Sequence, residues 1–181
     1  IMNEAIDELK ENEFKDLYQE ENDIETKEFV KDIQIDTDFE LLFPDEYINN
    51  ISERLILYSE LGQIKNEEAL QKYEQKLIDR FGALPKPAIA LLNSVRIKWK
   101  ATSIGLERLL MKQGKMIGYF IGDQQSSFYQ SNRFIKVMQF AQHNGNICKI
   151  KEKETKTGLK LLITFENVKS INKALELMER M

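Results

Sequence analysis

Two kinds of periodicity divide this chain, and the point where one gives way to the other constrains its fold more than any other feature. From residue 47 to residue 99, apolar positions recur three and four apart: Ile48, Ile51, Leu55, Tyr58 and Leu61, then Leu70, Tyr73, Leu77 and Phe81, then Ala88, Leu92, Val95 and Trp99. That spacing gathers each set on one face of a helix. Beyond residue 103 alternation takes over. Residues 104–111 and 115–121 flank Gln113 and Gly114, and residues 146–153 and 159–165 flank Thr157 and Gly158. Period-two runs joined by turn residues predict two antiparallel hairpins.

The punctuation agrees with this division. Asn66 is placed to cap the second helix, Gly82 to end it in a left-handed conformation, and Pro85 and Pro87 to open the third. Gly62 is expected to stop the first helix. Residues 29–43 are rich in β formers (Val30, Ile33, Ile35, Phe39, Leu41) and predict one or two strands ended by Pro44. Phe134, Val137, Met138 and Ala141 suggest a further helix, and Asn167 is expected to open a last one that buries Val168, Ile171, Leu175 and Met178. The expected fold is α+β: a helical hairpin and a third helix packed with a small antiparallel sheet, closed by a C-terminal helix.

Charge splits the chain a second way. Residues 1–50 hold 17 acids and 4 bases, whereas residues 51–181 hold 13 acids and 22 bases. Residues 4–18 have the spacing of an amphipathic helix (Ala5, Leu9, Phe14, Leu17, Tyr18), and residues 19–31 are too acidic and too poor in apolar side chains to offset the entropy of ordering. Two regions follow: residues 1–28, a helix with an acidic linker, and residues 29–181, a folded domain. Ile1 precedes Met2, which suggests a piece of a longer polypeptide. The first residues mix acids with apolar side chains and do not read as a signal peptide, and no apolar run approaches the roughly 20 residues of a spanning helix. One cysteine, Cys148, allows no internal disulfide and fits a reducing cytoplasm, where its apolar surroundings predict a buried thiol.

The sequence carries no recognisable catalytic motif. The sequence has no G-x-x-x-x-G-K-[ST] phosphate loop, and one Cys with one His (His143) falls short of a zinc ligand set. His143 precedes Asn144 and Gly145 and is expected at an exposed turn. Gly114, Gly118 and Gly122 repeat at fourth positions, but charged neighbours make strand-bounding glycines the better reading. Lys149, Lys151, Lys153, Lys156 and Lys160 cluster on the second hairpin. Alternation explains them as a solvent-facing sheet surface, because no aromatic residue is interleaved among them to stack on bases.

One run carries a resemblance. Leu77, Ile78, Asp79, Arg80, Phe81, Gly82, Ala83, Leu84 and Pro85 set an Asp-Arg pair beside a helix end, a cap glycine and a proline restart. With Pro44, Asp45, Tyr47 and Ile48, then Arg54, Leu55 and Tyr58, then Leu91, Leu92, Lys98, Ala101 and Gly105, this run is similar to the C-terminal regulatory domain of bacterial transcription-repair coupling factors. The likeness covers residues 30–110, and residues 4–18 resemble the segment that follows the motor domains in that family.

The resemblance implies a role that periodicity does not show. The parent of such a domain is an ATP-driven translocase on double-stranded DNA that displaces stalled RNA polymerase and recruits the damage-recognition protein UvrA. Its C-terminal domain packs against a UvrB-like N-terminal module, masks UvrA recruitment and restrains the enzyme. ATP and Mg belong to the motor domains, so no cofactor is expected in this fragment. Asp79 and Arg80 match the pair implicated in that contact. Lys76 stands where the family commonly has a glutamate, and Glu74 is nearby to supply an acid. The expectation is therefore a non-catalytic, cytoplasmic, autoinhibitory interaction domain with Asp79, Arg80, Lys76 and Glu74 at its contact and no membrane partner. The basic balance of residues 51–181 leaves a nucleic-acid-binding adaptor as the alternative.

Overall fold

In the computed structural model, which describes residues 28–181, four of the five α-helices start where a polar side chain meets their free N–H groups. The helix expected over residues 4–18 and the linker up to residue 27 lie outside the described residues. Helix α1 (Ile51–Gln63) is capped by Asn50 and α2 (Glu67–Phe81) by Asn66, each side chain accepting from the N–H three residues on. Helix α3 (Lys86–Ser103) opens on Pro85 and Pro87. Helix α4 (Asn132–His143) is capped by Ser131 and α5 (Ile171–Arg180) by Ser170.

Five strands form one sheet: β1 (Gln34–Thr37), β2 (Leu106–Lys112), β3 (Lys115–Phe120), β4 (Cys148–Thr155) and β5 (Gly158–Phe165), in the order β1-β2-β3-β5-β4. The class is α+β, as expected, but the sheet is mixed. Strand β1 lies parallel to β2, with Ile35 opposite Leu109, while the other three pairings are antiparallel. A parallel pair needs a long crossover, and α1, α2 and α3 together supply it. Only residues 34–37 of the β-rich stretch pair in the sheet, because Phe39, Leu41 and Phe43 turn into the packing instead.

Alternation along the strands sends Leu109, Met111, Met116, Phe120, Ile163 and Phe165 to one face, where Ile97 and Ala101 of α3, Val137 and Ala141 of α4 and Ala174 and Leu177 of α5 complete a core. A second core, of Phe43, Ile48, Leu57, Leu61, Leu70, Tyr73, Leu77, Ala88 and Leu92, lies between the hairpin α1–α2 and the start of α3. The long α3 therefore belongs to both. Phe29 is half-buried and Val30 buried, so ordered packing has begun by these positions.

Several expectations need correction. Gly62 does not stop α1, which runs on to Gln63 with Ile64 as its cap. Asn167 does not open α5. Its φ of 58° makes it a corner residue, Val168 is buried just before the helix, and Ala174 and Leu177 rather than Leu175 complete the buried face. The stripe on α1 is rotated: Leu57 and Leu61 are buried, whereas Ile51 is 66% and Leu55 63% exposed. Both faces of α1 carry apolar residues, so spacing alone could not choose between them.

Candidate functional site on the helical hairpin

The run 77–85 closes α2 where the sequence predicted. Gly82 has φ 87° and donates its N–H to the Ile78 carbonyl at 2.9 Å, which ends the helix just past Asp79 and Arg80. A brace holds that end in place. The Tyr47 hydroxyl donates to the Gly82 carbonyl at 2.8 Å and lies 3.2 Å from that of Leu77, while its ring tilts against Phe81 at 5.7 Å. Burial pushes the Tyr47 phenol above its ordinary value, so it remains a donor. The brace is itself fixed. Arg54 is ion-paired with Asp45 and donates to the Ile48 carbonyl at 3.0 Å, and the Phe43 N–H donates to the Tyr58 hydroxyl at 2.8 Å beneath stacked rings. The scattered residues Asp45, Tyr47, Ile48, Arg54 and Tyr58 thus form one support for the helix end that carries the Asp-Arg pair.

The four expected contact residues point three ways. Arg80 is ion-paired with Glu53 of α1 and lies over the Phe81 ring at 4.9 Å; Lys76 pairs with Glu60 of α1 at 2.9 Å. Glu74 turns to the other side of α2 and meets Arg96 of α3 at 3.7 Å. Asp79 points outward and, among the described residues, holds Gln75 of its own helix at 2.8 Å. A separation of five residues places side chains about 140° apart on a helix, so Glu74 and Asp79 cannot share a face. Glu74 instead joins Glu67 around Arg96. Glu67 accepts three bonds from that guanidinium at 2.7, 2.9 and 3.1 Å, which hold its carboxyl below the usual carboxylate range and raise the guanidinium further.

Spacing did not reveal the other half of the surface. The solvent side of α1 consists of Ile51, Ser52, Leu55, Ile56, Ser59, Gly62 and Gln63, all exposed and none charged. Ile56 is 59% exposed, in a protein whose surface is otherwise rich in charge. The signal was an excess of apolar residues on α1, more than one buried stripe can use. Exposed aliphatic side chains on one helix face beside a polar, ion-paired flank make the mixed surface typical of interdomain contacts.

A helical hairpin braced at its Asp-Arg end, with a third helix tying it to a mixed sheet, defines an α+β domain with an exposed, uncharged face on α1. The TRCF domain family model matches residues 37–131, more than half the chain and the whole of the hairpin. The chain belongs to the TRCF domain family. It is 30% identical over 112 residues to the transcription-repair-coupling factor of Escherichia coli K12, covering 60% of this chain and 9% of that protein. It is 25% identical over 160 residues to the Rickettsia typhi protein of the same name, covering 88% of this chain and 13% of that one. The chain therefore spans about a tenth of the length of these relatives. In fold it is similar to the crystal structure of the C-terminal domain of a transcription-repair coupling factor, with a TM-score of 0.59 and 21% identity over 82% of this chain and 91% of that one.

Proposed function

We propose that this domain is a non-catalytic regulatory element of a DNA-translocating transcription-repair coupling factor, which packs against a UvrB-like N-terminal module of the same protein and masks UvrA recruitment until RNA polymerase is engaged. The observation that carries the reading is the hairpin surface: an uncharged, exposed face on α1 beside Arg80 and the outward Asp79, held by the Tyr47 brace. Such a surface suits a reversible contact. Interdomain interfaces of about 600–1,500 Å² are polar enough to part without unfolding either side. The ATP and Mg of the parent would be held by its motor domains, since the sequence of this fragment carries no phosphate loop. The test is Asp79→Ala with Arg80→Ala in the full-length parent. UvrA binding and basal ATPase should both rise while the far-UV spectrum of the variant stays that of the wild type. Unchanged UvrA binding in a folded variant would overturn the proposal.

A further inference from the structure

The register of the sheet places together residues that lie far apart in sequence. Following the pairings from edge to edge, the face opposite the core carries Lys149, Lys151 and Lys153 on β4, Lys160 and Leu162 on β5, Ile117 and Tyr119 on β3, Arg108, Leu110 and Lys112 on β2 and Asp36 on β1. Leu110, Ile117 and Tyr119 are half-buried there and belong to neither core, Leu162 is buried between its strand neighbours, and α3, α4 and α5 all pack on the other face. Among the described residues no helix covers this one.

We propose that this open sheet face binds single-stranded nucleic acid. Its charge is one-sided. Asp36 is engaged by Arg108 at 2.9 Å and Glu166 by Lys115 at 3.6 Å, whereas Lys112, Lys149, Lys151, Lys153 and Lys160 have no carboxylate within ion-pair distance among the described residues. On β4 the separation is complete, since Glu152 and Glu154 alternate to the other side of the strand. Lysines at every second position of an extended strand stand about 6.8 Å apart in a row, a track for a phosphate backbone. Beside that row runs the apolar strip, with Tyr119 half-buried and the Arg108 guanidinium 5.7 Å from its ring centroid. No aromatic is interleaved in the lysine hairpin itself, but the pairing of β5 with β3 sets Tyr119 opposite Leu162, in one cross-strand row with Lys151. Unpaired bases present faces that stack on an aromatic ring and cover aliphatic side chains, whereas a duplex hides them, so the strip selects the single strand. The face is separate from the hairpin surface, and its test does not involve UvrA.

The test uses the 181-residue chain and fluorescence anisotropy with labelled oligothymidylate and oligouridylate, and with a duplex of the same length. Binding should be tighter to the single strands than to the duplex, with a log–log salt slope of about −3 for four neutralised phosphates. Lys149→Glu, Lys151→Glu and Lys153→Glu together should abolish it, whereas Lys65→Glu, Lys72→Glu and Lys86→Glu, an equal change of charge on the helical side, should leave most of it. Tyr119→Leu keeps an apolar side chain on the sheet but removes stacking, and should weaken binding about fivefold or more without changing the slope. If the reversal unfolds the hairpin, the corresponding Lys→Gln set carries the same comparison. No anisotropy change at low salt, duplex binding equal to single-strand binding, or indifference to Tyr119→Leu would each overturn the proposal.

Discussion

Arg80 in the last turn of α2 is ion-paired with Glu53 in the first turn of α1, so a residue expected to face a partner also closes the hairpin on itself. The cation stands at a helix C-terminus and the anion at a helix N-terminus, each on the side the helix dipole favours. With Arg80 50% and Glu53 31% exposed, the pair is worth about 0–1 kcal/mol. Asp79 has no such duty. Arg80→Ala should therefore lower the unfolding free energy of this chain by up to about 1 kcal/mol in urea titrations, and Asp79→Ala should leave it within about 0.5 kcal/mol. Asp79→Ala alone should still raise UvrA binding in the parent, because among the described residues the outward carboxylate has only Gln75 to hold.

Gly105, which ends the crossover, admits no other residue without strain. Its φ is 84°, and a Cβ there would lie 2.2 Å from the Phe128 ring, in the middle of the sheet core. The left-handed backbone costs an alanine about 1–2 kcal/mol and displacement of a packed ring about 1–3 kcal/mol. Gly105→Ala should lower the melting temperature by on the order of 10 °C, read by calorimetry. A loss no larger than that of Gly145→Ala, an exposed site with open space around it, would contradict this account.

What was legible in the sequence was what is decided locally. Asn66, Gly82, Pro85 and the Gln113–Gly114 turn act within a few residues of themselves, and the helices and hairpins they bound were expected nearly in place. A strand was expected within residues 29–43, but not the short bounds of β1 or its parallel pairing, because its partner lies about seventy residues later and four residues carry no periodicity long enough to assign an edge. The rotation of α1 failed for a different reason: Ile51 and Leu55 are as regularly spaced as Leu57 and Leu61, and only the second core decides which pair is buried. Asp79 and Arg80 were singled out through resemblance, and their support by Tyr47 and Arg54 needed tertiary structure. The union of Tyr119 with the lysine row needed the register of three strands.

Glu67 gives the fold a dependence on pH with a defined sign. Bonds from Arg96 depress its carboxyl in the folded state, so its contribution is present above the unfolded glutamate value near 4.3 and is lost as pH falls through the lower folded value. In urea titrations from neutral pH downward, wild type and Glu67→Gln should differ most above about pH 5 and converge below it. A constant difference down the whole acid limb would mean that the bonds to Arg96, rather than ionisation, carry the effect.

The uncharged face of α1 makes the sharpest claim on the regulatory proposal, since a charge placed there touches no core. Leu55 and Ile56 are 63% and 59% exposed, so Leu55→Lys and Ile56→Lys should leave the stability of this chain within about 0.5 kcal/mol. Burying an unpaired lysine in an interdomain contact is costly, so each should open that contact more effectively than removal of a half-exposed ion pair. In the full-length parent, Ile56→Lys should raise UvrA binding at least as much as Arg80→Ala does. If the lysine variants bind UvrA as the wild type does while the Asp79 and Arg80 variants bind more, the contact lies on α2 alone and α1 serves another partner.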